Sequence, residues 1–178
     1  MQDVTEYLRK ARALSAEAFR QLHPHYFLYK HSKQVRDTGQ SEQDIDYATR
    51  TLSLSFDPLP ALSQLVEVRK NPHNPFPDRI TIGRATNCDV VLRLGFVSKV
   101  HAHLLIEGDK LTLRDNKASN FTFHNHRRME AGSSRLIQLG DILSFGALDL
   151  ELVDATRLYE ILRAAPAANA IALPVARR

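Results

Sequence analysis

The stretch GFVSKVHAHLLIEG, Gly95 to Gly108, decides the fold, because it joins a polar loop directly to a strand-like apolar run. Its second half, AHLLIE, is typical of a short strand that ends in a turn. Its first half places a hydroxyl, an ammonium and an imidazole (Ser98, Lys99 and His101) where that strand begins. A hydrolase nucleophile, a metal site and an anion-binding loop are all compatible with this arrangement.

The surrounding segment, about residues 61–153, has the same texture of short apolar runs separated by turn residues. The runs that predict strands are LSQLVEVR, RITIGR, DVVL, AHLLIE, LTLRD, FTFHN, SRLIQL, ILSFG and LDLELV. Clusters of Gly, Asn, Asp and Pro lie between them, as in NPHNPFPD and DNKASN. Many short strands without an intervening long helix favour an antiparallel sandwich or barrel over a parallel sheet.

The two flanks differ from this central segment. Residues 1–60 form an N-terminal extension: apolar residues at helical spacing predict a helix from Asp3 to Leu22, followed by the aromatic run HYFLYK and then by a polar surface loop. Residues 154–178 begin with Asp154, which is expected to cap a short helix, and end in an Ala/Pro-rich tail. The predicted domains are therefore 1–60, 61–153 and 154–178.

Composition sets the broad class. The chain has 178 residues, of which 43% are hydrophobic and 25% charged, as expected for a globular protein. A net charge of +4 does not by itself indicate nucleic-acid binding. The single cysteine, Cys88, allows no intrachain disulfide and fits a cytoplasmic setting. The charged N-terminus is unlike a signal peptide, and no apolar run reaches the ~18 residues of a membrane span, so we expect no membrane partner.

Enzymatic and metal-binding interpretations have little support. Ser98 and His101 are too close along the chain to form an easy nucleophile–base pair, and the sequence has no G-x-S-x-G elbow. Two H-x-H pairs, His101 with His103 and His124 with His126, each place two imidazoles on one face of a strand. Nothing nearby completes either pair into a metal site. We therefore predict no catalytic residues, no metal and no cofactor.

An anion-binding site accounts for more of the polar residues. Arg84 follows a strand and a glycine, and its planar fork suits a phosphate or a carboxylate. Ser98 and Lys99 add a hydroxyl and an ammonium, while Ser119 and Asn120 lie in a later turn. The loops of a sandwich gather at its ends, so these side chains can converge on one anion. The residues alone leave a second possibility open, in which Arg84 pairs with a local acid such as Asp89.

The order of the motifs resembles one family. IGRATNCDVVL, VSKVHAHL, LRDNKASNFTFHN and LIQLGDILSFG are similar, in order and spacing, to the marks of a forkhead-associated (FHA) domain. The resemblance covers about residues 62–153. It implies a two-sheet antiparallel β-sandwich that binds phosphothreonine peptides through loops at one end. We thus expect a bacterial FHA protein with a non-FHA helical extension.

The resemblance also implies roles for single residues. Arg84 and Ser98 match the family's phosphate-binding arginine and serine, and Lys99 matches a position that contacts the phosphopeptide. Ser119 and Asn120 match the Ser-Asn of a turn whose asparagine bonds the peptide backbone. Three residues match structural braces of the binding loops: Gly83, His101 and Asn125. Gly140 and Asp141 match a late turn of the family.

One position departs from the family. A glycine is usual after the turn's asparagine, but this chain has Phe121, which fits poorly if that position needs a positive φ. The expected function is a phosphothreonine-binding adaptor in Ser/Thr kinase signalling, with a phosphate-independent FHA scaffold for protein assembly as the alternative. The expected partner is a phosphothreonine protein, and self-association is possible. Phosphorylation of a threonine in the polar segment would allow it to occupy the same site; the candidates are Thr38, Thr49 and Thr51.

Overall fold

A computed structural model describes residues 4–30 and 65–165 of the chain. Within these ranges the helices are α1 (Val4–Ala13), α2 (Ala16–Leu22) and α3 (Ala155–Ala164). The strands are β1 (Tyr26–Tyr29), β2 (Leu65–Val68), β3 (Ile80–Gly83), β4 (Val90–Val91), β5 (Ala102–Glu107), β6 (Lys110–Asp115), β7 (Thr122–His124), β8 (Arg127–Arg128), β9 (Ser134–Ile137), β10 (Ile142–Phe145) and β11 (Leu148–Val153).

The strands form two sheets, which confirms the predicted antiparallel β-sandwich. The six-stranded sheet has the order β2-β1-β11-β10-β7-β8, and the five-stranded sheet has the order β4-β3-β5-β6-β9. The pairing is antiparallel except between β3 and β4, which run parallel. Each of the nine apolar runs that predicted strands contains one, whereas β1 and β8 were not predicted.

The sandwich core lies between the two sheets. Successive side chains of a strand point to opposite faces, so every second residue of each strand faces the opposing sheet. Leu104 and Leu113 come from the five-stranded sheet, Leu143 and Leu150 come from the six-stranded sheet, and all four are essentially buried. Apolar side chains of both sheets thus fill one continuous core, which fixes the loops at its ends.

The helices cover the outer face of the six-stranded sheet. In β1, Leu28 points into the sandwich, whereas Phe27 points outward and belongs to a second buried cluster. That cluster also contains Phe19 of α2 and both Leu158 and Leu162 of α3, all fully buried. One sheet therefore separates two cores, one shared with the other sheet and one shared with the helices.

The N-terminal region differs from its prediction in two ways. The single predicted helix is two helices, because Ser15 caps α2: its hydroxyl accepts a hydrogen bond from the Ala18 N–H at 3.2 Å. The aromatic run after α2 is strand β1, which pairs with β2 and β11 inside the six-stranded sheet. Both faces of β1 are buried, so its sequence shows no apolar–polar alternation from which a strand could be predicted.

The C-terminal helix begins where it was predicted. The Asp154 carboxylate accepts a hydrogen bond from the Arg157 N–H at 2.7 Å, and α3 follows. The Ala/Pro-rich tail and the polar segment with Thr38, Thr49 and Thr51 lie outside the described residues. In the described ranges, no helix combines the length and the apolar character that crossing a membrane requires.

Candidate functional site

The loops that precede β4, β5 and β7 meet at one end of the sandwich. The Arg84 N–H donates to the Ser98 carbonyl oxygen at 3.0 Å, which joins the first loop to the second. The Ser119 N–H donates to the Ser98 hydroxyl oxygen at 3.2 Å, which joins the second loop to the third. Ser98 therefore contacts both neighbouring loops, and the structure brings the predicted residues Arg84, Ser98 and Ser119 together.

Gly83 allows the end of β3 to pack closely against the backbone of the loop before β5. A Cβ atom at this position would lie 2.3 Å from the Lys99 carbonyl oxygen and 2.9 Å from the Val100 Cα. These distances are far shorter than van der Waals contact, so only glycine allows the end of β3 to pack against the loop before β5. The Ala85 N–H then donates to the Lys99 carbonyl oxygen at 3.1 Å.

Arg84 presents a free cation at this end of the molecule. Its side chain is exposed, and within the described ranges its guanidinium has no hydrogen-bond or ion-pair partner. Asp89 does not neutralise it, because the Asp89 carboxylate is buried and binds Lys70 at 3.1 Å, the Asn71 N–H at 2.7 Å and the Thr81 N–H at 2.6 Å. The sequence alone was compatible with an ion pair between Arg84 and Asp89. In the structure the Asp89 carboxylate binds Lys70, Asn71 and Thr81 instead.

Ser98 and Lys99 supply two further donors. The Ser98 hydroxyl is half-buried and uses a lone pair for the Ser119 N–H, which leaves its own proton available to a ligand. The Lys99 backbone is fixed by its contacts with β3 and the following loop, while its side chain is exposed. In the part of the chain that is described, no hydrogen bond or ion pair engages the Lys99 ammonium.

The buried side chain of His101 joins the loop that contains Ser98 to the loop that ends at Phe121. It is fully buried, and its Nδ1 lies 3.1 Å from the Ser98 N–H, which must donate to it. Since Nδ1 is then the acceptor, the proton of the neutral ring lies on Nε2, which donates to the Phe121 carbonyl oxygen at 3.1 Å. Burial lowers the pKa of His101, and this favours the neutral form that makes both bonds.

Asp115 organises the third loop and was missed as a site residue. Its buried carboxylate accepts hydrogen bonds from the Thr122 hydroxyl at 2.5 Å, the Lys117 N–H at 2.7 Å and the Gly132 N–H at 2.9 Å. Burial alone would raise the pKa of Asp115, but these bonds outweigh it and hold the pKa below its ordinary value. In the sequence, the only indication was an acid at the end of a strand, before a turn rich in Asn and Ser.

Asn120 and Phe121 form the tip of this loop. The Asn120 side-chain NH₂ donates to the Phe96 carbonyl oxygen at 2.8 Å, so its side-chain oxygen points away from that bond. Among the described residues, this oxygen has no hydrogen-bond partner. Phe121 has a φ of 59°, the left-handed conformation in which a glycine is normally found. The chain thus keeps the backbone geometry of a glycine turn with a large aromatic side chain in it.

Asn125 and Asp141 lie at the other end of β7, away from these loops. The Asn125 side chain donates to the Asp141 carboxylate at 2.7 Å and accepts from the Ile142 N–H at 2.8 Å. Hydrogen bonds from Asn125, Gln138 and His124 exceed the effect of burial and lower the pKa of Asp141. These contacts attach the turn between β7 and β8 to the start of β10. Among the described residues, Asn125 makes no hydrogen bond to Ser98 or Ser119.

The two H-x-H pairs have separate environments. His101 is the buried link already described, and His103 lies beside Asn116, with 3.3 Å between the ring nitrogen and the side-chain oxygen. His124 lies 2.7 Å from the Asp141 carboxylate. Within residues 4–30 and 65–165, no three His, Cys, Asp or Glu side chains are grouped so that they could hold a metal ion.

The fold and site together define a β-sandwich whose joined end loops carry an exposed arginine, an exposed lysine and a half-buried serine hydroxyl. Residues 80–146, which span β3 to β10, match the family model of the FHA domain. This part of the chain is therefore an FHA domain, and it contains every residue of the candidate site.

Individual proteins are similar over the same region. The ABC transporter ATP-binding/permease protein Rv1747 of Mycobacterium tuberculosis is 35% identical over 80 residues, which are 45% of this chain and 9% of that protein. The chain thus spans less than a tenth of the length of this curated relative. The solved FHA-2 domain of the same transporter is 29% identical, with a TM-score of 0.39, over 58% of this chain and 89% of that one. A structure of Mycobacterium tuberculosis EmbR in complex with a low affinity phosphopeptide is 25% identical, with a TM-score of 0.40, over 43% of this chain and 20% of that one.

Proposed function

We propose that the protein is a phosphothreonine-peptide binding module that acts as an adaptor in Ser/Thr kinase signalling. The single observation that carries this proposal is the Arg84 guanidinium. It is exposed and unpaired within the described ranges, at the point where three loops of the FHA domain are joined through Ser98. A planar fork without an intramolecular partner is suited to bind a phosphate through two parallel hydrogen bonds.

The neighbouring donors extend the same chemistry. The Ser98 hydroxyl proton and the Lys99 ammonium are both available to phosphate oxygens, so the phosphate receives charge and directed hydrogen bonds together. The Asn120 side-chain oxygen is available to accept a backbone N–H of the bound peptide. Ser119 is exposed beside it, and its backbone position is fixed by Ser98. We assign the phosphate to Arg84, Ser98 and Lys99, and the peptide backbone to Ser119 and Asn120.

Buried contacts support these side chains from inside the domain. We assign Gly83 and His101 as braces, because one permits the close approach of β3 and the other joins Ser98 to Phe121. Asn125 belongs to the proposal as a more distant brace, which acts through β7 rather than on the loops themselves. Loops held in place before binding lose little conformational entropy when the ligand arrives, and this favours affinity.

The proposal includes three further assignments. The protein acts by binding and not by catalysis, because the polar groups at the loops are donors to an anion rather than an arranged nucleophile and base. Its partner is a phosphothreonine protein of a Ser/Thr kinase pathway. A cytoplasmic location agrees with such a partner and with the free, buried thiol of Cys88.

The test is to screen a phosphothreonine peptide library by fluorescence anisotropy against wild type and Arg84→Ala. Removing the charge partner of a phosphate is expected to weaken binding by about 30-fold or more, since such losses cost ~2–5 kcal/mol. Arg163→Ala is the matched control, because Arg163 is an exposed arginine at the end of α3, on the helical side of the molecule. Dephosphorylated peptides are expected not to bind.

The same screen separates the adaptor from the alternative scaffold. If wild type binds no phosphopeptide of the library, or if Arg84→Ala binds as tightly as wild type, the proposed site is wrong. Phosphothreonine is expected to bind more tightly than phosphoserine in matched peptides. The difference is one methyl group, for which a small apolar niche can discriminate by ~1–3 kcal/mol.

A further inference from the structure

Phe121 is held in an unfavourable backbone conformation next to the proposed site. For residues other than glycine, a left-handed φ such as the 59° of Phe121 is disfavoured by contact of the Cβ with the backbone. Three hydrogen bonds nevertheless fix this residue: its N–H donates to the Ala118 carbonyl oxygen at 3.2 Å, and its own carbonyl oxygen accepts from Gly146 at 3.1 Å and from His101 at 3.1 Å. The ring is 40% exposed, so core packing does not account for its presence.

The Phe121 ring instead supports a guanidinium. The Arg128 Cζ lies 3.3 Å from the centre of the ring, which is close contact for a cation stacked on an aromatic face. Stacking occupies the flat face of a guanidinium and leaves its N–H groups pointing outward in the plane. Within the described ranges, those N–H groups have no hydrogen-bond or ion-pair partner. The ring thus fixes the position of a cation without neutralising it.

The topology places this cation beside the peptide-binding loop. Phe121 directly follows Asn120, whose side-chain oxygen is assigned to the peptide backbone. Arg128 lies on β8, at the edge of the six-stranded sheet, and is paired in register with Phe123. A peptide that reaches Asn120 therefore passes close to the stacked pair. Its residues advance by about 3.3 Å each when extended, so a side chain near the phosphothreonine can reach the guanidinium.

We propose that Arg128, positioned by Phe121, selects peptides that carry a second anionic group near the phosphothreonine. The proposal rests on the proposed function, since it assigns a further contact to the same bound peptide. A carboxylate and a second phosphate both match the in-plane donors of a guanidinium. Arg128 is the specificity-determining residue, and Phe121 is a positioning residue that acts through it.

The experiment measures binding of a peptide series by fluorescence anisotropy. Each peptide has one phosphothreonine and, at one position from five residues before to five residues after it, either Asp or Asn. A parallel set places a second phosphothreonine at the same positions. Wild type is expected to prefer the acidic peptide at one or two positions by about three- to fivefold, the upper part of the range for an exposed charge pair. The set that shows the larger preference identifies the anion.

Three variants assign the preference to the stacked pair. Arg128→Gln is expected to bind the Asp and Asn peptides equally, with affinity for the Asn peptide within about twofold of wild type. Phe121→Gly suits the backbone and releases Arg128, so it is expected to reduce the preference while phosphate binding persists. Arg127→Gln is the matched control and is expected to retain the preference, because adjacent residues of a strand point to opposite faces.

The outcomes distinguish this inference from the proposed function. If wild type binds phosphothreonine peptides and Arg84→Ala does not, but no acidic position raises affinity, the inference is wrong and the function stands. A preference that survives in Arg128→Gln also overturns the inference. If wild type binds no phosphothreonine peptide, the proposed function fails and the inference fails with it.

Discussion

Gly83→Ala is expected to disrupt the end of the sandwich that carries the site. The added Cβ would lie 2.3 Å from the Lys99 carbonyl oxygen, 2.9 Å from the Lys99 carbonyl carbon and 2.9 Å from the Val100 Cα. All three atoms belong to the backbone, so no rotation of a side chain relieves the overlap. Strand β3 and the loop before β5 must therefore move apart.

The magnitude follows from the contacts that this movement breaks. The Arg84 N–H bond to Ser98 at 3.0 Å and the Ala85 N–H bond to Lys99 at 3.1 Å both cross the separating surfaces. Each contributes about 1 kcal/mol, and the overpacking itself costs ~1–3 kcal/mol. Alanine recovers ~0.4–1 kcal/mol by restricting the unfolded chain. We expect a net loss of ~2–4 kcal/mol in the free energy of unfolding.

The assay is urea denaturation of wild type, Gly83→Ala and a control variant, Gly95→Ala, followed by measurement of phosphopeptide binding. Gly95→Ala is the control, because Gly95 lies in the loop before β5, against which Gly83 packs, and a Cβ at Gly95 would meet nothing within 4 Å. Gly95→Ala is expected to unfold within ~0.5 kcal/mol of wild type, as surface substitutions usually do. If Gly83→Ala is as stable as Gly95→Ala and binds phosphopeptide normally, the close approach at Gly83 is not required and the reasoning is wrong.

Three other predictions concern groups inside the domain. His101→Ala is expected to lower stability by ~2–4 kcal/mol in thermal unfolding, because it leaves a cavity and two unpaired groups; unchanged stability with lost binding would contradict its role as a brace. Hydrogen bonds lower the pKa of Asp115, so the stability that its ionised carboxylate contributes is present above about pH 4 and is lost as the pH falls further. When denaturation is measured between about pH 5 and 3, Asp115→Asn is therefore expected to lose less free energy of unfolding than wild type. Leu158→Ala is expected to cost ~2–5 kcal/mol and to unfold in one transition with the sandwich, whereas a separate early transition by circular dichroism would mean that the helices fold independently.

Most of the sandwich was predictable because its strands follow simple rules. Each of the nine strands predicted within residues 61–153 is a short apolar run that ends in turn residues, and such runs depend on local sequence alone. The grouping of Arg84, Ser98 and Ser119 was also accessible, since loops of a sandwich converge at its ends. The sequence did not distinguish an unpaired Arg84 from one that binds Asp89, because that choice depends on which groups surround the carboxylate in space.

The features that escaped prediction depend on tertiary packing. Strand β1 is buried on both faces, so its sequence lacks the alternation that marks a strand at a surface. Asp115 was not recognised as a site residue, because its role depends on donors from Thr122 and Gly132, which follow it by several residues along the chain. Phe121 was recognised as a departure from a glycine position, but the Arg128 contact that uses its ring was not visible in the sequence.

The loop from Asp115 to Phe121 is held by a buried carboxylate, while the exposed cations of the proposed site lie on neighbouring elements of the domain. The Asp115 carboxylate accepts hydrogen bonds from the Lys117 N–H within the loop and from the Gly132 N–H outside it, and these bonds hold the shape of the loop. Arg84 follows β3, Lys99 precedes β5 and Arg128 lies on β8, and none of them contributes to that shape through an ion pair in the described part of the chain. An anion that binds these cations therefore breaks no ion pair among the described residues. Because those cations are exposed to solvent, the affinity should fall as salt screens them, while the stability of the loop, held by a buried carboxylate, should change much less.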